Sequence, residues 1–150
     1  MKFRRIEYKK YIKLRIIATL IDYGIYLFLF VVYVEFMGTE NSDGAKEVKG
    51  LLAMPLFLFW FIYFVVLETV NQATPGHDIC KLIIVKSTGA RISLGDAFKR
   101  RVIDPIDIFC YGIPALICIN KTPKFQRLGD LWADTVVVKK TDIIETDVQF

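Results

Sequence analysis

Two stretches of the chain lose their polar positions almost entirely. Ile16 to Met37 reads IIATLIDYGIYLFLFVVYVEFM, and its only charges are Asp22, well inside, and Glu35, near the end. Val48 to about Val70 reads VKGLLAMPLFLFWFIYFVVLETV, with an uncharged run from Gly50 to Leu67 between Lys49 and Glu68. A helix that crosses a hydrocarbon core roughly 30 Å thick needs about 20 mostly apolar residues, and both stretches supply them. A buried helix of a soluble bundle keeps a polar stripe at about 3.6-residue spacing. Residues 56–67 carry none, so the pattern predicts two membrane-spanning helices. Pro55 falls in the first turns of the second, where a missing amide costs least.

A third apolar stretch, from about Val102 to Ile119 (VIDPIDIFCYGIPALICI), is interrupted by Asp104, Asp107, Pro105, Pro114 and Gly112, which leaves Ile108 to Ile119 as its clean part. The flanking charges bear on how it meets the bilayer. Residues 1–15 hold seven basic residues against Glu7, whereas the loop after the first helix, GTENSDGAKEVKG, has three acids and two lysines. The positive-inside rule therefore puts the N-terminus in the cytoplasm. The same rule assigns the basic segment Asn71 to Arg101 to that side, so the first two helices form an antiparallel hairpin. A full third span would carry the tail outside, yet Lys121, Lys124, Arg127, Lys139 and Lys140 favour the cytoplasm. A re-entrant or broken helix that returns on the same side satisfies both signals, and a full third span stays open beside it.

The segment between the second and third stretches has a soluble pattern. Lys81 to Val85 and Arg91 to Ser93 flank Ser87-Thr88-Gly89-Ala90, which predicts a short cytoplasmic β-hairpin with Gly89 at a positive-φ turn position. Ser93-Leu94-Gly95-Asp96 resembles a capping box with Asp in place of the usual Glu. The helix that it opens runs through Arg101, with Leu94, Ala97, Phe98 and Val102 on one face and Lys99, Arg100 and Arg101 alongside. That pattern suits a helix lying in the membrane interface against anionic headgroups. The fold class expected is therefore all-α membrane: a helical hairpin, a third re-entrant or broken hydrophobic helix, a short β-hairpin and an interfacial helix.

Charged residues inside a spanning helix are functional candidates because of their insertion cost. Asp22 leads, and it follows Arg15 by seven residues, so the two lie within about 20° on one helix face and some 10 Å apart along the axis. Asp22 serves either as a transport group or as a packing residue satisfied by buried hydrogen bonds, and Arg15 at the helix entrance also suits snorkelling to phosphate. Glu68, Asn71 and Gln72, at i, i+3 and i+4, extend a polar face from the second helix.

Several separate motifs, in order, resemble the RDD family, named for one arginine and two aspartates. They are RIIATLIDYGIYL, Gln72-Ala73-Thr74-Pro75-Gly76, KLIIVKSTGARISLGDAFKR, Gln126-Arg127-Leu128-Gly129-Asp130 and Thr135-Val136-Val137-Val138. The resemblance covers residues 8–140, an RDD-like membrane domain, and matches Arg15 to the arginine, Asp22 to the first aspartate and Asp130 to the second. Members commonly have Lys where this chain has His77, His where it has Gly129 and Gly where it has Asp134. The resemblance implies a membrane protein for which transport has been proposed, and it suggests that Asp130 returns to Arg15 as a charge pair if both lie on the cytoplasmic side.

Other chemistry is thin. Cys80, Cys110 and Cys118 form no CxxC motif, and His77 is the sole histidine, which excludes two-histidine metal sites. No phosphate-binding Gly-rich loop occurs. No enzymatic activity, cofactor or metal is expected. The 54% hydrophobic content and mean hydropathy of +0.41 exceed the usual soluble range, while the +4 charge flanks apolar spans and so points to anionic lipid rather than nucleic acid. The expected site is Arg15, Asp22 and Asp130, with Glu68, Gln72, Asp104, Asp107, Gln126 and Arg127 as secondary candidates. Two readings follow: an ion or small-solute path that needs a homo-oligomer or larger membrane complex, or a scaffold or accessory subunit in which the set is structural. The place expected is the bacterial plasma (inner) membrane. Thr141 to Phe150, with Asp142, Glu145 and Asp147, reads as a frayed tail.

Overall fold

Both predicted spans are helices in the computed structural model, which describes residues 2–147; the side chains at 1–4, 109, 110 and 146–150, Cys110 among them, lie outside the described set. Helix α1 (Ile12–Met37) has 26 residues and α2 (Gly50–Asn71) has 22, with mean hydropathies of 2.0 and 2.4. Strands β2 (Thr39–Glu40) and β3 (Lys46–Glu47) pair to close the turn between them. Aromatic rings fill the seam: Tyr26 stacks on Phe59 at 5.7 Å, and Tyr23 lies 4.9 Å from Phe64. Phe28, Val31 and Phe36 on α1 and Leu51, Phe57 and Leu58 on α2 stay exposed. So continuous an apolar surface suits lipid and not water.

The far half of each helix changes character. Phe61–Val66 widen to a π-helical turn in which Tyr63, Phe64 and Val65 are all buried, and Glu68 is buried one turn later. On α1 the buried residues are Arg15, Ala18 and Asp22. The rest of the chain gathers at this end: α3 (Pro75–Ile79), β4 (Leu82–Lys86), α4 (Leu94–Val102), α5 (Asp104–Ile108), α6 (Ile113–Lys121), α7 (Leu128–Ala133), β5 (Thr135–Lys139) and the pair β1 (Lys2–Ile6) with β6 (Ile143–Asp147).

Strands β4 and β5 form an antiparallel ribbon, Ile84 opposite Val137, that is buried on both faces. Alternation sends Leu82, Ile84 and Val137 to a core with Ala18, Val65, Ile92 and Ala97. Ile83, Val85, Val136 and Val138 face the other way, against Ile6, Tyr8 and Ile143. The third apolar stretch is broken. Leu94–Ile108 and Ile113–Lys121 meet at 114°, with Tyr111 (φ 59°) and Gly112 (φ 80°) in the left-handed region at the break and Pro114 in the first turn of α6.

Three expectations change. The predicted β-hairpin is a turn only: Lys86 N–H donates to Ala90 O at 2.9 Å, but Arg91 to Ser93 form no strand, and Leu82–Lys86 pairs with Thr135–Lys139 instead. The pairing partner is an equally β-branched run from the far end of the chain, which buries more apolar surface than a short hairpin arm. Helix α4 has the predicted Ser93–Asp96 capping box, but Arg100 and Arg101 turn inward and are buried, so of the basic trio Lys99 alone faces outward. Within the segment read as a frayed tail, residues 148–150 lie outside the described residues, while Ile143–Asp147 pairs with Lys2–Ile6. Asp142 secures its start, accepting from the Tyr11 hydroxyl at 2.7 Å, Lys9 Nζ at 3.2 Å and Lys139 N–H at 3.0 Å.

Candidate functional site

The predicted set divides into two polar centres. The first surrounds Asp22. Helix α3 opens with Thr74-Pro75-Gly76, and the Thr74 side chain makes no cap to its own helix. Its hydroxyl donates instead to Asp22 Oδ2 at 2.5 Å, while the Gly76 N–H donates to Oδ1 at 2.7 Å and the Tyr63 hydroxyl donates to the same oxygen at 3.3 Å. A carboxylate from α1 thus meets the free amides at the start of α3. Only glycine fits at position 76: a Cβ there would stand 2.2 Å from the Ala18 carbonyl oxygen and 2.7 Å from Asp22 Cγ.

His77 completes this centre. The one hydroxyl hydrogen of Thr74 goes to Asp22, so His77 Nδ1, 2.8 Å from that hydroxyl oxygen and 3.2 Å from Asp22 Oδ2, carries the ring hydrogen. Burial, more than any other influence, pushes His77 below the ordinary imidazole pKa, and Arg101 adds to the shift against the pull of Asp22 and Glu68. The ring is therefore neutral at pH 7, with Nε2 left as an acceptor.

The second centre is an ion-pair network beneath the hairpin. Glu68 on α2 is clasped by consecutive residues of α4: Arg100 Nε donates to Oε1 at 2.7 Å, and Arg101 Nη2 donates to Oε2. Arg100 continues to Asp130 and, at 2.9 Å, to the Thr135 hydroxyl. Arg101 continues to Asp104 at 3.0 Å, whose Oδ2 also accepts from the Tyr23 hydroxyl at 2.8 Å. Arg127 pairs with Asp104 at 2.6 Å and lies 3.7 Å from Asp107 and 3.6 Å from Asp130. Arg15 Nη2 donates to Asp130 Oδ2 at 2.6 Å and Nη1 to the Phe125 carbonyl at 2.7 Å. Four arginines face four carboxylates, so the network is neutral as a whole.

Asp130 is its hinge. It is fully buried, and burial alone would raise its pKa. Arg100, Arg15 and Arg127 outweigh that and hold the carboxyl well below the usual carboxylate range. It also accepts the Arg127 N–H at 3.2 Å, capping α7. Gly129 lets α7 abut α4, since a Cβ there would stand 2.8 Å from the Arg100 carbonyl oxygen.

Of the predicted residues, the structure brings Arg15 to Asp130 and adds Glu68, Asp104, Asp107 and Arg127 to the same network, while Asp22 stands apart with His77. Gln126 braces the network from outside, its Nε2 donating to the Thr135 carbonyl at 2.8 Å. Gln72 belongs to neither centre; its carbonyl accepts from Ile84 N–H at 2.7 Å. Sequence reasoning missed Arg100 and Arg101. The available signal was the pairing of Arg101 with Asp104 at i, i+3. Among the described residues no group of three or more His, Cys, Asp or Glu side chains is arranged to hold a metal ion.

A cavity of about 370 Å³ reaches both centres between α1 and the broken helix α5–α6. Its walls are mainly aliphatic, and Arg15, His77, Arg100, Asp107 and Arg127 lie at its polar end.

A family model described as RDD family matches residues 12–134. The chain belongs to the RDD family. Comparisons with curated proteins and with solved structures give no match. In this RDD family chain the arginine and second aspartate are one ion pair, and the first aspartate holds the Thr74-Pro75-Gly76 turn. Asp134, where members commonly have glycine, has φ 51°, a left-handed conformation that glycine adopts freely. Its carboxylate accepts from the Ser87 hydroxyl at 2.6 Å.

Proposed function

We propose that the Arg15, Asp22 and Asp130 set is a structural lock that fastens a helical membrane hairpin to a polar cap, making the chain a non-enzymatic scaffold or accessory module of a bacterial inner membrane. The observation that carries this reading is occupancy. Both oxygens of Asp130 are held by guanidinium groups, and both oxygens of Asp22 are held by donors from α2 and α3. A carboxylate that binds passing cargo keeps an oxygen open to it, and neither does. Partners in such a role are anionic lipid and a second copy or larger membrane complex.

The same reading makes α5–α6 a re-entrant element. Strand β4 precedes this broken helix and β5 follows it, and the two are hydrogen-bonded neighbours. Two adjacent strands share one side of a membrane, so the chain between them enters and leaves on that side. The basic residues at both ends support the cytoplasm as that side.

A second reading, transport, is favoured by the cavity beside Arg15 and His77. Flux through proteoliposomes separates the two. The lock predicts no ion or solute flux above protein-free liposomes, and Asp22→Asn lowers thermal stability alone. Flux in the wild type that Asp22→Asn abolishes, in a variant that still folds, would establish the transport reading.

A further inference from the structure

We infer that the cavity between α1 and α5–α6 binds the head of an anionic amphiphile, a carboxylate or phosphate carried on a single acyl chain lying along its aliphatic walls. Its size falls within the range of about 300–1,000 Å³ typical of small-molecule sites, and its composition matches the pattern of such sites: Ile16, Leu20, Ile108 and Leu116 as walls, with Arg15, Arg127, His77 and a single carboxylate, Asp107, in its polar lining.

The sign of the head follows from which charges can be reached. The network is neutral in total, but of its carboxylates only Asp107, 1% exposed, reaches the cavity wall, while Asp130 and Glu68 are 0% exposed and Asp104 2%. The side chains of Arg15 and Arg127 keep 8% and 12% of their surface. A ligand at the polar end therefore meets more guanidinium than carboxylate surface. Among the described residues Arg15 spends only two of its five N–H hydrogens, on Asp130 and the Phe125 carbonyl. Guanidinium groups with spare N–H donors suit planar oxyanions.

The mouth decides the rest of the molecule. It is bordered by Leu20, 67% exposed, Ile108 and the fully exposed Tyr111, which continue the apolar outer surface of α1. A rim of that composition admits chains from the bilayer and not solutes from water.

The test uses the full chain purified in detergent, with lysophosphatidylglycerol, palmitate and lysophosphatidylcholine as probes and retention in native mass spectrometry as readout. At least tenfold preference for either anionic probe over lysophosphatidylcholine is expected. Preference for lysophosphatidylglycerol assigns the site to lipid headgroups, preference for palmitate to free acids, and equal retention of the two to the shared anion. Arg127→Gln should remove the preference. Because that change also cuts the network, Ala115→Trp serves as a second variant: Ala115 lines the cavity and belongs to no ion pair, so it should lose at least tenfold in retention while the protein stays monodisperse and helical. Equal retention of all three probes, or retention untouched by Ala115→Trp, would overturn the inference. It rests on the bilayer placement proposed above, which is tested separately by where the termini lie.

Discussion

Arg15 and Asp130 are separated by most of the chain, yet they meet at 2.6 Å with side chains 8% and 0% exposed. An exposed pair contributes roughly 0–1 kcal/mol, whereas removing one partner of a buried pair costs about 3–5 kcal/mol because the survivor is left uncompensated. Arg15→Ala and Asp130→Ala should each destabilise the detergent-purified protein on that larger scale, Asp130→Ala the more, since it also takes a carboxylate partner from Arg100 and Arg127. The double mutant should lose clearly less than the sum. Strictly additive losses would show that the pair contributes nothing as a pair. His77 supplies a pH-dependent counterpart. Its folded-state pKa lies below its unfolded value of about 6.5, so the unfolded chain takes up the proton first as pH falls. Stability is therefore full above about pH 6.5 and declines below it, until pH reaches the lowered folded value. Thermal melts from pH 8 to pH 5 should show that decline, and His77→Gln should flatten it within this window. A wild-type profile as flat as the variant would mean that the imidazole is not held neutral.

Elements were legible in proportion to how local their causes are. The two spans follow from apolar runs, and the α4 start follows from Ser93 and Asp96, three residues apart. The partner of β4 was not legible, because no residue near KLIIV marks TVVVK, some fifty residues away, as a better partner than the short arm beside it. For the same reason Arg100 and Arg101 read as lipid-facing: a basic run on a short amphipathic helix has that meaning until Glu68 and Asp130 are brought to it by other elements. Asp22 was legible as a charged residue within an apolar run, but its partners Thr74 and Gly76 lie beyond another helix. The β4–β5 pairing has its own test. Ile84 and Val137 are directly opposite, so in a chain without native cysteines Ile84→Cys with Val137→Cys should form a disulfide under mild oxidation, while Ile84→Cys with Ile144→Cys should not. Failure of the first pair alone, in a folded protein, would remove the ribbon.

At the scale of the whole molecule the two ends of the chain are tied together. Strand β1 precedes the first span, and β6 follows the last apolar segment, yet Arg5 is paired with Ile144 and Ile6 with Ile143. Arg15 at the start of α1 reaches Asp130 in α7, and Glu7 N–H donates to the Asp142 carbonyl at 3.0 Å. A membrane protein with an odd number of full crossings separates its termini by the thickness of the bilayer, roughly 30 Å of hydrocarbon, and none of these contacts survives that separation. The proposed arrangement, two full crossings and one re-entrant element, keeps them. A reporter enzyme that works only in the cytoplasm, fused after Phe150, should therefore be active, and one that works only outside should be silent. A cysteine placed at Lys86 in the same cysteine-free background should resist an impermeant thiol reagent added to intact cells and react once the membrane is opened. An externally active reporter with Lys86→Cys still protected would make α5–α6 a full span, and the Arg15–Asp130 pair would then have to be given up along with the two sheets that join the ends.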